Sequence, residues 1–184
     1  SHACLRYEIE DVILLTDPWL TDDPIYCDSI YKFPHLNSNV TSAYKDANWL
    51  YISHTHEDHF HIPSLNLFRK EINIIIPSFS HHNQGRRANL LKETLIRLGF
   101  KNLYVLDSWQ ILEINLNLSF QLIPSAKSRS FDWENSGLLI KYKNKTILNM
   151  NDNVADKDLC LDILKYHNKI DIYFIQSSSV TSYP

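Results

Sequence analysis

Asn48-Trp49-Leu50-Tyr51-Ile52 runs directly into Ser53-His54-Thr55-His56-Glu57-Asp58-His59-Phe60-His61, so an apolar run of strand formers empties into a loop crowded with imidazole and carboxylate. The first five residues read as a short strand covered on both faces, because nearly every side chain is apolar. Neutral imidazole nitrogens and carboxylate oxygens are the donors that borderline metals such as Zn and Fe take. In an extended loop, side chains two residues apart project to the same side, which puts His54 and His56 together. Asp58 and His59, at the start of the next turn, face a second point nearby. One short loop can therefore offer two ligands to each of two adjacent ions, with Asp58 serving as ligand or as the base that orients a water. The plainer alternative is a solvated polar loop whose residues cap a helix. His61 reads as a solvent-facing or helix-capping residue.

Outward from this loop, the apolar runs 12–16, 72–76, 103–106 and 171–175 read as further strands covered on both faces, and 109–116 and 118–123 as half-exposed ones. Residues 138–142 and 145–148 form a hairpin across Lys143 and Asn144. Helices are expected from Pro63, whose fixed φ suits a first turn, over Arg86–Leu98 with Gly99 as its cap, and over Asp156–Tyr166. Strands with interleaved helices predict a layered α/β fold, and the 184 residues predict a single domain over 1–184. Thr21–Ala47, rich in Asp, Asn and Pro, reads as a long excursion, either a substrate lid or an irregular crossing.

Composition excludes several function classes. With 18 Lys and Arg against 21 Asp and Glu, the chain offers no polyanion-binding surface, so no nucleic-acid partner is expected. No apolar stretch approaches the roughly 20 residues of a membrane span, and no signal-peptide pattern opens the sequence. Cys4, Cys27 and Cys160 are odd in number and far apart, which predicts reduced, mostly buried thiols and a cytoplasmic address. Trp19, Trp49 and Trp109 read as core. Lys127 and Arg129, with Arg86 and Arg87, are candidates to receive a phosphate or carboxylate, or are simply solvated. His81 and His82 line the same cleft or a surface loop. The chain has only three Gly, where about 13 would be average, and Asn or Asp at Asn151, Asp152 and Asn153 are expected to take left-handed turns in their place.

The loop His54-Thr55-His56-Glu57-Asp58-His59 resembles the signature of the metallo-β-lactamase superfamily. Leu15-Thr16-Asp17-Pro18-Trp19-Leu20 is similar to its first motif, and Ile147-Leu148-Asn149-Met150-Asn151-Asp152-Asn153 to a later one. The resemblance implies a four-layer αββα sandwich, Asp17 as the residue that supports the metal loop and fixes a His tautomer, and Asp152 as a bridging ligand beside His54, His56, Asp58 and His59. Within the superfamily, Thr16–Leu20, Asn149–Asn153 and the closing Gln176–Pro184 look most like the lactamase-like part of CMP-N-acetylneuraminate hydroxylase, then like lactonases and phosphodiesterases. Where the superfamily usually has a third His, after the strand ending near Ile123, this sequence reads Pro124-Ser125-Ala126-Lys127-Ser128-Arg129. That departure, and His2-Ala3-Cys4 as the end of a strand without a beginning, imply a domain trimmed at both ends or a divergent member.

The expected activity is that of a metal-dependent hydrolase, with one or two Zn (Fe or Mn as alternatives) and a metal-bound hydroxide acting on an ester, lactone or phosphodiester small molecule, with an anionic substrate among the candidates. The alternatives are a hydroxylase-like iron protein working with a separate Rieske module, since this chain lacks the paired Cys and His ligands of a Rieske cluster, and a non-catalytic binding protein.

Overall fold

The computed structural model describes residues 3–32, 35, 42–78, 85–126 and 135–175. His81, His82, Lys127, Arg129 and residues 176–184 lie outside them, as do the side chains of Arg86 and Arg87. The chain divides into two compact units, residues 1–110 and 111–184.

In the first unit, β1 (Arg6–Ile9) pairs antiparallel with β2 (Val12–Thr16), turning through Glu10 at φ 54°. The one-turn helix α1 (Ser42–Lys45) leads to β3 (Trp49–Tyr51), which lies parallel to β2 with Thr16 opposite Tyr51. After α2 (Ile62–Leu65), β4 (Asn73–Pro77) adds parallel to β3, and after α3 (Gly85–Arg97), β5 (Asn102–Leu106) adds parallel to β4. The sheet order is β1-β2-β3-β4-β5. Leu15, Leu50, Ile74 and Ile76 from the strands and Ile52 just after β3 share one buried cluster with Leu65, Leu91 and Leu95 from α2 and α3. Because β2 to β5 run parallel, their carboxyl ends share one edge, the edge where ligands bind in open parallel sheets. The histidine loop leaves β3 there. Gly99, at φ 90°, closes α3, with Phe100 N–H donating to Leu95 O at 3.1 Å.

In the second unit, β6 (Ile111–Glu113), β7 (Leu118–Ile123), β8 (Gly137–Tyr142) and β9 (Lys145–Asn149) pair antiparallel in succession. After α4 (Lys157–Tyr166), β10 (Ile172–Phe174) pairs parallel with β9, giving the order β10-β9-β8-β7-β6. Asp156 caps α4, its carboxylate accepting from Leu159 N–H at 2.8 Å. The β8–β9 hairpin turns through Lys143 at φ 52°. Two sheets with few helices make the fold class the expected mixed α/β one.

Several expectations are corrected. Residues 171–175, expected to be covered on both faces, carry β10, whose Ile172, Tyr173 and Phe174 are all exposed: an apolar run marks strand propensity, and edge position decides burial. Trp109 is half-buried in a turn at φ 67°, whereas Trp19 and Trp49 are core as expected. Cys27 and Cys160 are exposed, and only Cys4 is partly buried, its thiol pushed up to about 11 by burial. The first strand begins at Arg6, beyond His2-Ala3-Cys4. Of the Asn151-Asp152-Asn153 turn only Asn151 is left-handed (φ 48°), and residues such as Tyr26, Cys27 and Lys143 take that conformation elsewhere. Among the described residues no helix is long and apolar enough to cross a membrane.

Candidate metal centre

Asp17 follows β2 with a left-handed backbone (φ 41°), while its N–H still donates to Tyr51 O at 2.8 Å across the β2–β3 pair. This turn swings the carboxylate under the start of the histidine loop, where it is fully buried. One oxygen accepts Ser53 N–H at 2.7 Å. The other lies 2.7 Å from Ser53 Oγ and 2.9 Å from His59 Nδ1. A buried carboxylate is tolerable only when hydrogen-bonded in this way.

The network assigns tautomers, which are inferred from bonding partners. Asp17 is acceptor only, so His59 carries its proton on Nδ1, leaving the Nε2 lone pair to point outward. Ser53 has one hydroxyl proton, which goes to Asp17. Its oxygen therefore accepts from His54 Nδ1–H at 2.9 Å, leaving the His54 Nε2 lone pair directed away from the hub. One carboxylate thus fixes two imidazoles, His59 directly and His54 through Ser53.

The three imidazoles cluster. His54 Nε2 lies 2.9 Å from His56 Nδ1, and the His54 ring centroid is 4.5 Å from that of His56 and 4.1 Å from that of His59. His56 O accepts from His59 N–H and Phe60 N–H at 3.0 and 2.7 Å, winding the loop back so that residues 54, 56 and 59 meet. His59 Nε2 faces Asp58 Oδ2 at 3.5 Å. An imidazole nitrogen and a carboxylate oxygen that face one another in this way are a donor pair of the kind a divalent ion takes. The donor set, imidazole nitrogen and carboxylate oxygen without thiolate, suits Zn, Fe or Mn. The residues fit a divalent metal. His54 and His59 are buried, Asp58 is half-buried and His56 is exposed.

Other candidates fall elsewhere. Asp152, in the second unit, occupies the turn after β9, half-buried, its carbonyl accepting from Asn135 Nδ2 at 3.4 Å. His61 does not face solvent: it is 3% exposed and packs against Trp19 with 5.7 Å between ring centroids. It precedes α2 but makes no side-chain capping bond. Its Nδ1 instead lies 2.8 Å from Ser64 Oγ, which accepts Leu20 N–H at 2.6 Å, and burial holds the imidazole below the usual histidine range. Of the excursion 21–47, the described part carries a short turn bridged between Ile25 and Ile30. Lys32 fastens it, its ammonium donating to Thr21 O at 2.7 Å and Trp19 O at 3.2 Å. Neither Tyr26 nor Ser53 stands out in the sequence. Neither belongs to a residue class that flags metal chemistry, and only the folded backbone brings Tyr26 to the loop.

The beta-lactamase superfamily domain matches residues 1–164. A protein of Mycolicibacterium smegmatis named "Putative Rieske 2Fe-2S iron-sulfur protein" is 28% identical over all of this chain and 34% of its own length. Cytidine monophosphate-N-acetylneuraminic acid hydroxylase of Asterias rubens is 26% identical over 80% of this chain and 22% of its own length. The chain thus spans about a third of the length of the first of these relatives and less of the second. Among solved structures, CmlA, a diiron beta-hydroxylase from Streptomyces venezuelae, superposes with a TM-score of 0.68 at 20% identity, over 95% of this chain and 33% of that one, a likeness of fold. With a family match across most of its length and the same fold in solved relatives, this chain belongs to the metallo-β-lactamase superfamily.

Proposed function

We propose that residues 1–184 act as one metal-dependent catalytic domain in which His54, His56, Asp58, His59 and Asp152 hold one or two divalent ions, and that it carries out a hydroxylase-like reaction on a small anionic molecule. The observation that carries the metal assignment is the clustering of three imidazoles and a carboxylate on one short loop, with the His54 ring centroid 4.5 and 4.1 Å from those of His56 and His59, and His59 Nε2 3.5 Å from Asp58 Oδ2. Asp152 is included because the superfamily resemblance gives its turn a ligand, and the family match spans both segments. Such ions, when bound, would supply Lewis acidity and, as iron, the electron transfers of oxygen chemistry.

The chain's own residues do the rest. Asp17 holds the proton on His59 Nδ1 and, through Ser53, on His54 Nδ1, so both rings present Nε2 in a fixed direction. Asp58 is the proposed acceptor of a proton released during the reaction. Lys127 and Arg129 are the proposed contacts for an anionic substrate.

The hydroxylase reading is supported by the relatives, one named for a Rieske cluster and one for hydroxylation, together with a donor set free of thiolate. Inserting one atom of O2 into a C–H bond and releasing the other as water consumes two electrons and two protons. The three dispersed cysteines of this chain do not form a Rieske ligand set, so the electrons would come from a Rieske-type module outside residues 1–184. A second reading, hydrolysis of an ester, lactone or phosphodiester, is favoured by Asp58 itself, a half-buried carboxylate set to receive the proton of an attacking water.

Loading with Fe(II) in the absence of oxygen, followed by nitric oxide, is expected to give the electron paramagnetic resonance signal of an iron site with an open position. The zinc form is expected to leave bis(nitrophenyl) phosphate and simple lactones intact. Rapid hydrolysis by the zinc form, with no nitric oxide signal from the iron form, would replace the first reading by the second.

A further inference from the structure

Tyr26, Cys27 and Asp28 are three consecutive non-glycine residues with left-handed backbones, at φ 51°, 54° and 61°. L-residues rarely adopt this conformation even singly, and such a run persists only where its surroundings over-determine it. Here they do. Ile25 and Ile30 exchange backbone hydrogen bonds at 3.0 and 3.2 Å across the turn, and Ser29 N–H donates back to Ile25 O at 3.1 Å. Ile25 anchors the base of the turn, 3% exposed, whereas Cys27 and Asp28 lie at its exposed tip.

The turn delivers Tyr26 to two successive residues of the histidine loop. Its N–H donates to Glu57 Oε2 at 2.5 Å, and its phenol donates to Asp58 Oδ1 at 3.3 Å. The other Asp58 oxygen, Oδ2, is the one 3.5 Å from His59 Nε2. The carboxylate is therefore split, one oxygen held by the phenol and one turned towards the imidazole.

We propose that Tyr26 is a positioning residue for the metal centre: its phenol occupies Asp58 Oδ1, so that Asp58 engages the ion through Oδ2 alone, and the left-handed turn 26–28 exists to bring the phenol there. This rests on the assignment of His59 and Asp58 as ligands.

Titration with Co(II) alone, followed by its visible absorption bands, tests the inference. Tyr26→Phe removes only the hydroxyl of a partly exposed side chain, and it is expected to weaken Co(II) binding about tenfold and change the band shape as Asp58 becomes free to bind through both oxygens. Cys27→Gly relieves one left-handed position and keeps the phenol; it is expected to bind within about twofold of the parent with the same bands, at a raised Tm. Tyr26→Phe with the parent's affinity and spectrum would overturn the inference, as would weaker binding with an unchanged band shape, which marks general loosening. If the parent itself binds no Co(II), the ligand assignment falls and this inference with it. Parent binding that is indifferent to Tyr26→Phe removes the tyrosine's role only.

Discussion

Asp17 closes on Ser53 twice, one carboxylate oxygen accepting the backbone N–H and the other the hydroxyl, each at 2.7 Å and with no exposure at either residue. The pair ties the end of β2 to the first residue after β3. Because the hydroxyl also receives His54 Nδ1–H and the carboxylate receives His59 Nδ1–H, this small hub sets both the path of the loop and the direction of its imidazoles.

Asp17→Asn keeps the volume but puts a donor against Ser53 N–H or His59 Nδ1–H. Metal affinity is expected to fall by about 10- to 100-fold, the range found for partners that orient ligand imidazoles, with a stability loss of about 1–3 kcal/mol for the mismatched buried group. Isothermal titration with Zn(II) and urea denaturation measure the two effects. Unchanged affinity would remove Asp17 from the metal centre.

Ser53→Ala leaves His54 Nδ1–H without its acceptor and Asp17 Oδ2 with one partner fewer. A loss of about 1–3 kcal/mol is expected in urea denaturation. The His54 proton is also expected to redistribute between its two nitrogens, visible in nitrogen NMR of the imidazole, while the His59 signal stays in place because its bond to Asp17 is direct.

Two glycines are needed for different reasons. Gly99 sits at φ 90° in open space, the nearest atom to an added Cβ being Lys70 Cγ at 3.8 Å, so Gly99→Ala is expected to cost about 1–2 kcal/mol through backbone strain. At Gly137 a Cβ would meet Met150 Sδ at 2.8 Å and Asn149 O at 3.1 Å, so Gly137→Ala is expected to cost about 1–3 kcal/mol through overpacking. Met150→Ala in the same chain should relieve part of the second cost and none of the first, a difference that chemical denaturation reads directly.

Asp171 carries the clearest pH dependence. The Lys169 ammonium at 2.6 Å and then Thr146 N–H at 3.0 Å hold its carboxyl at about 2. Since this lies below the ordinary value of about 3.9, its contribution to stability is present above that value and is lost as the pH falls towards 2. Asp171→Asn should lower Tm near neutral pH, with the difference from the parent shrinking between about pH 4 and pH 2. A difference that persists at pH 2 would contradict the assignment.

Much of this fold is legible in the residues. Val12–Thr16 and Leu118–Ile123 are strands with the expected bounds, because branched and aromatic runs bounded by turn residues permit little else. β1 is not legible: Arg6 and Glu8 break the apolar pattern, and the strand exists because Tyr7 and Ile9 are buried against its hairpin partner. His61 reads as solvent-facing or helix-capping, yet it is 3% exposed, packed against Trp19 with its Nδ1 2.8 Å from Ser64 Oγ, a burial set by the fold and not by the local residue pattern. The histidine loop announces its chemistry through density of ligand types. What a sequence does not state is which proton sits on which nitrogen, since that depends on Ser53 and Asp17 meeting across 36 residues.

The central claim, that the loop 54–59 is a metal centre, is tested most directly by elemental analysis of the purified protein after exposure to Zn, Mn and Fe salts and removal of excess ion. The account predicts about one to two ions per chain in the parent and a marked loss in His56→Ala and Asp152→Ala, both of which should remain folded by circular dichroism. A folded parent that retains no ion, or variants that retain as much as the parent, would contradict it.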